Sequence, residues 1–263
     1  MTRQPGETKT GDLVSLVRAY WNGRIHDLEM TSAPVGTREF FDELDAYRFE
    51  KLAYLPRVVD FAGYRGRRVL EIGCGVGTDL VRFARGGARV AGVDLSSTAI
   101  QLTRDNLHLH GCPPAPLCVA DGARLPFCDG SVDVVYAHGV LQYAPDPRGI
   151  VAEAQRVLAP GGEAIFMVYN RVSWLQAMSK LGGVPLEHAD APALRLYSIG
   201  EYRQLLEGFR ACTIVPERFP VHSRLHRGWK ALVYNVVFVG AFNWLPRSLV
   251  GRFGWHLMGM CRK

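Results

Sequence analysis

No two of the six cysteines, at 74, 112, 118, 128, 212 and 261, stand at Cys-x-x-Cys spacing, and none has a histidine partner at zinc spacing. The chain therefore offers no metal ligand set, and buried or free thiols in a reducing cytoplasm are the expectation. No apolar run is long enough to cross a bilayer, which takes about 20 residues; the longest, 231–245, has fifteen and stops at Pro246. The opening twelve residues are polar, contain Pro5, Gly6 and Gly11, and lack a signal-peptide pattern, so a loose leader and a cytoplasmic location are expected. Residues 1–200 carry almost no net charge. The formal +6 of the chain comes from residues 201–263, where ten Lys and Arg face three Glu, a net +7 that leaves −1 for the rest.

What is present is concentrated in one stretch. Val69-Leu70-Glu71-Ile72 is a buried-strand pattern, and it runs into Gly73-Cys74-Gly75-Val76-Gly77, a turn that lets a ligand approach the backbone. Thr78 then opens a helix, and a second apolar strand ends at Asp94. The glycines at 73, 75 and 77 do not follow the Gly-x-Gly-x-x-Gly spacing of dinucleotide sites. Glu71 beside the turn repels phosphate and suits a ligand carrying an ammonium and a sulfonium.

At this point the sequence resembles the class I S-adenosylmethionine-dependent methyltransferases, whose first motif is Glu-x-Gly-x-Gly-x-Gly. Four further motifs follow in that family's order. Asp94 matches the acidic residue that accepts the ribose hydroxyls. Val119-Ala120-Asp121-Gly122-Ala123 matches the segment that meets the adenine. Val132-Asp133-Val134-Val135-Tyr136-Ala137-His138-Gly139-Val140-Leu141 matches the strand and loop beneath the methyl group, and Arg156-Val157-Leu158-Ala159-Pro160-Gly161-Gly162 matches the turn into the central strand. The resemblance implies S-adenosylmethionine as cofactor, with contacts from Tyr20, Glu71, Gly73, Cys74, Gly75 and Gly77, and from Asp94, Leu95, Asp121, Gly122, Ala123 and His138. It is closest to the small-molecule group that includes ubiquinone- and menaquinone-biosynthesis-type enzymes, and it is specific over residues 65–170.

Alternating strand and helix patterns imply an α/β fold, a doubly wound, seven-stranded, mostly parallel Rossmann-like sheet with the ligand at the carboxyl ends of the strands. Strands are expected at 68–72, 89–93, 117–120, 133–137 and 163–169, with an antiparallel closing pair at 212–220 and 255–261. Helices are expected at 78–85, 97–110 and 147–158. Ser198 and Glu201 form a capping-box pattern ahead of another. Residues 1–64 make a leader and a helical lid, 65–170 the cofactor-binding core, 171–197 a cap insertion, and 198–263 the end of the sheet. An apolar, basic insertion at 224–252 interrupts that last part. A buried cap helix, a wall for a lipophilic substrate, and a peripheral membrane contact through 229–245 are the readings of this insertion.

The expected function is methyl transfer to an oxygen, nitrogen or carbon of a small, fairly apolar metabolite. An RNA methyltransferase is the alternative, against which stands the lack of an RNA-binding module; a protein that binds S-adenosylmethionine without transferring methyl is the other. Candidate catalytic groups are His138 and Tyr143, with Tyr20 and His222 behind them. A loop histidine can equally be a hydrogen-bonding spacer, and many relatives carry paired histidines where Gln142-Tyr143 stands. The motif at Ala137-His138-Gly139-Val140 is not the Asn-Pro-Pro-Tyr form used on adenine and glutamine nitrogens, and no Asp between Tyr136 and Tyr143 supplies the metal site of catechol-type enzymes.

Overall fold

A computed structural model describes residues 10–182, 186–220, 236 and 239–263. Its centre is a seven-stranded sheet: β1 (Arg68–Ile72), β2 (Arg89–Asp94), β3 (Leu117–Val119), β4 (Val132–His138), β5 (Leu158–Tyr169), β6 (Ala211–Glu217) and β7 (His256–Arg262). The order is β3-β2-β1-β4-β5-β7-β6, and β7 runs antiparallel to both of its neighbours while the other pairs are parallel. The expected doubly wound sheet and its closing pair are therefore present. The order in which the chain adds its strands reverses between the parallel neighbours β1 and β4, which opens a crevice at their carboxyl ends.

The helices start where their caps are. Ser96 accepts from the Ala99 N–H to begin α5 (Ser97–Leu109), Asp146 accepts from Gly149 ahead of α6 (Pro147–Val157), and Ser198 and Glu201 form a capping box at α8 (Ile199–Leu205). The strands are buried on both faces, so residues alternate between two cores. Leu70, Val135 and Phe166 pack towards α6 and α8. Val69, Val134 and Ile165 pack towards α4 (Thr78–Arg85) and the N-terminal segment. That segment comprises α1 (Thr10–Asn22), α2 (Arg38–Lys51) and the single turn α3 (Leu55–Val58); Phe40, Phe41 and Leu44 of α2 pack on Leu102 of α5, which places α2 over the glycine turn. Between β5 and α8, helix α7 spans Trp174–Gly182.

Two expectations are corrected. Cys212 and Cys261 are not free thiols: they sit opposite each other in the β6–β7 ladder, with Cα atoms 4.1 Å apart, and form a disulfide. Forty-nine residues of separation hid this, because the pairing register decides which cysteines meet. Strand β5 begins at Leu158, five residues earlier than expected. Gly161, at φ 72°, and a register shift beside Val132 absorb the irregularity, so the glycine turn is taken into the ladder as a bulge.

Of the 224–252 insertion, residues 224–235, 237 and 238 lie outside the described residues, as does His222. The remainder forms short helices at Val239–Trp244 and Arg247–Val250, with Trp244 and Leu249 exposed. Among the described residues no helix is long and apolar enough to cross a membrane.

Candidate active site

The crevice widens into a cavity of about 240 Å3. Its floor is the glycine turn. Gly73, Gly75 and Gly77 all have positive φ (71°, 56° and 80°), a region that side chains resist. Space separates their roles further: a Cβ on Gly73 would overlap Val140, and one on Gly77 would press on Thr103, whereas one on Gly75 would meet no protein atom within 4 Å. Gly75 is open on the side where a ligand would lie.

Three carboxylates surround this half. Glu71 is buried, and its Oε2 has no hydrogen-bond partner among the described residues. Burial, with Asp79 nearby, holds its carboxyl well above the usual range. Asp94 accepts from the Gly75 N–H at 3.0 Å and the Ser96 N–H at 2.8 Å, yet burial still raises it. Asp121 accepts from the Ala123 N–H at 3.0 Å. Beneath the turn Arg48 of α2 holds Asp79 by two points, and the Tyr136 hydroxyl donates to the same carboxylate at 2.8 Å.

The other half of the cavity lies at the ends of β4, β5, β6 and β7. Because β7 is antiparallel, its first residue, His256, arrives at the same edge as the last residues of β4 and β5, His138 and Tyr169. Tyr54 joins the two histidines, its hydroxyl 3.1 Å from His138 Nε2 and 2.6 Å from His256 Nδ1. Arg218 donates to His256 Nε2 at 3.1 Å and to Glu187 at 2.7 Å; Lys51 bridges Glu187, at 3.0 Å, and Asp27, at 2.9 Å. Burial works to raise the Glu187 carboxyl, but Arg218 and Lys51 hold it well below the usual range. Burial, followed by Arg48 for His138 and Arg218 for His256, pushes both imidazoles well below theirs, so both are neutral. His26 Nδ1 lies 2.7 Å from His188 Nε2, and His26 is lowered to about 4, first by desolvation. The Tyr143 hydroxyl donates to the Glu187 carbonyl at 3.2 Å, and burial raises it.

Asp27, His188 and Arg218 have φ of 58°, 50° and 56°, and they are the non-glycine residues with positive φ among those described. All three line this cavity. Such backbone is uncommon and persists where the surroundings over-determine it, a pattern that clusters at functional sites.

Of the residues singled out in the sequence, Glu71, Gly73, Cys74, Gly75, Asp94 and Leu95 line the cavity, as do Asp121, Gly122, His138 and Tyr143. Gly77, Ala123 and Tyr20 do not. Gly77 caps α4, and Ala123 donates its N–H to Asp121. Tyr20 turns to the 186–197 segment, donating to Asp190 at 2.8 Å and accepting from Arg24 at 2.8 Å, because its neighbour Trp21 occupies the inward-facing position of α1. The sequence reading missed Arg48, Lys51, Tyr54, Glu187, Arg218 and His256. Arg48 and Lys51 at i, i+3 on one helix carried a faint signal; the others carried none.

With this geometry in place, comparison with known families decides the nature of the core: the family described as "Methyltransferase domain" matches residues 70–166. Residues 70–166 are a methyltransferase domain. The methyltransferase domain and its flanks are similar to the ubiquinone biosynthesis O-methyltransferase of Idiomarina loihiensis, 35% identical over 140 residues, covering 52% of this chain and 55% of that protein. They are also similar to the sterol 4-C-methyltransferase strm-1 of Caenorhabditis elegans, 28% identical over 159 residues, covering 60% of this chain and 44% of that protein. The chain spans about half the length of the curated relatives it matches. Among solved structures, geranyl diphosphate C-methyltransferase from Streptomyces coelicolor A3(2) superposes with a TM-score of 0.56 at 18% identity, covering 95% of this chain and 97% of that one. A SAM-dependent methyltransferase from Aquifex aeolicus gives a TM-score of 0.56 at 14% identity, with 84% and 96% covered. At these identities the structures establish the methyltransferase fold.

Proposed function

We propose that the chain transfers the methyl group of S-adenosylmethionine to a small acceptor with a fairly apolar body and a polar reacting end. The observation that carries this reading is Glu71, a buried carboxylate with an unpartnered oxygen beside a turn whose central glycine leaves open space. Burial without a partner disfavours ionisation of this carboxyl, and a cationic ligand group beside it would offset that cost. The residues fit the cofactor: Glu71 would hold its ammonium, Asp94 the ribose hydroxyls, and Asp121 with the backbone at Gly122 the adenine. When bound, S-adenosylmethionine supplies an activated methyl group on a positively charged sulfur, whose displacement depends on alignment more than on proton transfer.

The protein's part is positioning and water exclusion. Helices α1 and α2 and the cap residues Glu187 and His188 wall the cavity on the side away from the sheet. Holding two reacting groups in near-attack geometry is worth on the order of 7–11 kcal/mol. Trp21, Tyr143, Tyr169 and Met167 supply surface for an apolar or aromatic acceptor body, and Trp21 and Tyr143 pack edge to face at 5.3 Å.

The test is incubation of the protein with tritiated S-adenosylmethionine and a cell extract divided into small-molecule, RNA and protein fractions. Label in the small-molecule fraction is expected. Label confined to RNA or protein, or none despite cofactor binding, would refute the reading.

A further inference from the structure

The hydrogen bonds around His138 have a direction, and Arg218 sets it. A guanidinium has donors only, so His256 Nε2, 3.1 Å from Arg218 Nη1, carries a lone pair. Arg218 is held in place by its ion pair with Glu187 at 2.7 Å. Neutral His256 then bears its proton on Nδ1 and donates it to the Tyr54 oxygen at 2.6 Å. The Tyr54 hydroxyl proton goes to His138 Nε2 at 3.1 Å; the competing acceptor, the Met258 thioether at 3.8 Å, is weaker. His138 Nε2 is thus an acceptor, and the single proton of the neutral ring sits on Nδ1, which has no partner among the described residues.

We propose that Arg218, acting through His256 and Tyr54, fixes His138 as a hydrogen-bond donor, and that the acceptor atom is therefore an oxygen that arrives ionised, of the carboxylate or acidic phenol and enol class. This rests on the methyl-transfer reading and narrows it. His138 in this tautomer has no lone pair to take a proton from substrate, since its one lone pair is committed to Tyr54. Reversing the chain would turn a His256 N–H towards an Arg218 N–H. The groups facing His138 are Tyr54, Tyr136, Arg48, Asp79, His26, Arg218 and His256, and Asp79, already held by Arg48, is the one anion among them. Each carboxylate lining this half of the cavity, Asp27, Asp79 and Glu187, is paired with a cation, so none is left to repel an anion. The step balances without a base: the ionised oxygen's lone pair forms the new O–C bond as the C–S bond breaks, the sulfur keeps that pair, and no proton is released.

The test uses the full chain labelled with 15N-histidine and saturated with S-adenosylhomocysteine, with His138 and His256 assigned from the signals lost in H138Q and H256Q. Two-bond 1H–15N spectra from about pH 6 to 8 should show both rings as the Nδ1–H tautomer. Arg218→Lys, which keeps a donor, should preserve that pattern, and Arg218→Leu should populate the Nε2–H form of His138. Benzoate, as an oxyanion probe, should move the His138 Nδ1 signal and bind at least about tenfold more tightly than benzamide, the difference expected for a charge-assisted hydrogen bond. An Nε2–H or doubly protonated His138 in the unmodified protein overturns the relay, whether or not Arg218→Leu folds. Equal response to benzamide, or none to benzoate, overturns the acceptor class. If calorimetry finds no S-adenosylhomocysteine binding while His138 remains the Nδ1–H tautomer, the methyl-transfer reading and the acceptor class built on it fall, and the relay stands.

Discussion

Arg48 of α2 holds Asp79, in the first turn of α4, by two hydrogen bonds, and the Asp79 side chain is only 2% exposed. Burial alone would raise this carboxyl, but Arg48, with the Tyr136 hydroxyl, brings it below the usual range. The pair fastens α2 to the base of the glycine turn, so the position of α2 and that of the turn are mechanically joined. Arg48→Met should leave a buried, unpaired carboxylate and cost about 3–5 kcal/mol of stability, whereas Arg48→Met with Asp79→Asn should recover much of it. Chemical denaturation measures both. A single variant as stable as the parent would show that the pair does not hold α2 in place.

Glu71→Gln separates binding from folding. Replacing this buried acid by its neutral isostere should leave stability unchanged or higher, because burial already disfavours the ionised form. Affinity for S-adenosylmethionine should fall by at least about tenfold, since a hydrogen bond to a charged group is worth roughly 1.5–3 kcal/mol. Titration calorimetry checks this, and an unchanged dissociation constant would remove Glu71 from the cofactor site.

The glycines should respond differently to one added methyl. Both Gly73→Ala and Gly75→Ala place a side chain at positive φ, at a cost of roughly 1–2 kcal/mol. Gly73→Ala adds a clash with Val140 and should be the less stable, while Gly75→Ala meets only open space and should instead weaken cofactor binding. Thermal melts with and without S-adenosylhomocysteine distinguish the two; equal losses of stability with equal ligand response would contradict the roles assigned.

The contrast between the cavity's halves explains what could be read from the chain. Glu71, the three glycines, Asp94 and Asp121 are local: each lies at the carboxyl end of a strand or in the turn that follows, and an apolar run ending in Gly or Asp marks such a place directly. The other half is assembled from residues far apart, as Tyr54, His138, Glu187, Arg218 and His256 show. Two features bring them together, the reversal of β7, which carries His256 to the shared edge, and the left-handed backbone at His188 and Arg218. Neither leaves a pattern in the local sequence. The Cys212–Cys261 pair was hidden for the same reason, since its partners meet only once the β6–β7 register is known.

Acid sensitivity should begin in the histidine range. His26, His138 and His256 are lowered in the folded chain, so unfolded protein binds protons first as pH falls below about 6.5. The stability they contribute is present above that value and is lost as pH drops towards their folded values, about 4 for His26. Glu71 and Asp94 are raised and act oppositely, favouring the folded state at low pH and losing that contribution as pH rises. Melting temperature should therefore decline between pH 6.5 and 5, and decline more steeply in Glu71→Gln. A flat profile over that interval in both proteins would contradict the neutral, buried state of the imidazoles.

The most direct measurement is equilibrium dialysis of the folded chain against radiolabelled S-adenosylmethionine, beside Asp94→Ala as the control that loses the acceptor for the ribose hydroxyls. One saturable site per chain is expected, with binding severely weakened in the variant while its circular dichroism stays that of a folded protein. No uptake by the folded, unmodified chain, or equal uptake by both proteins, would contradict the assignment of the glycine turn and its carboxylates as the cofactor site.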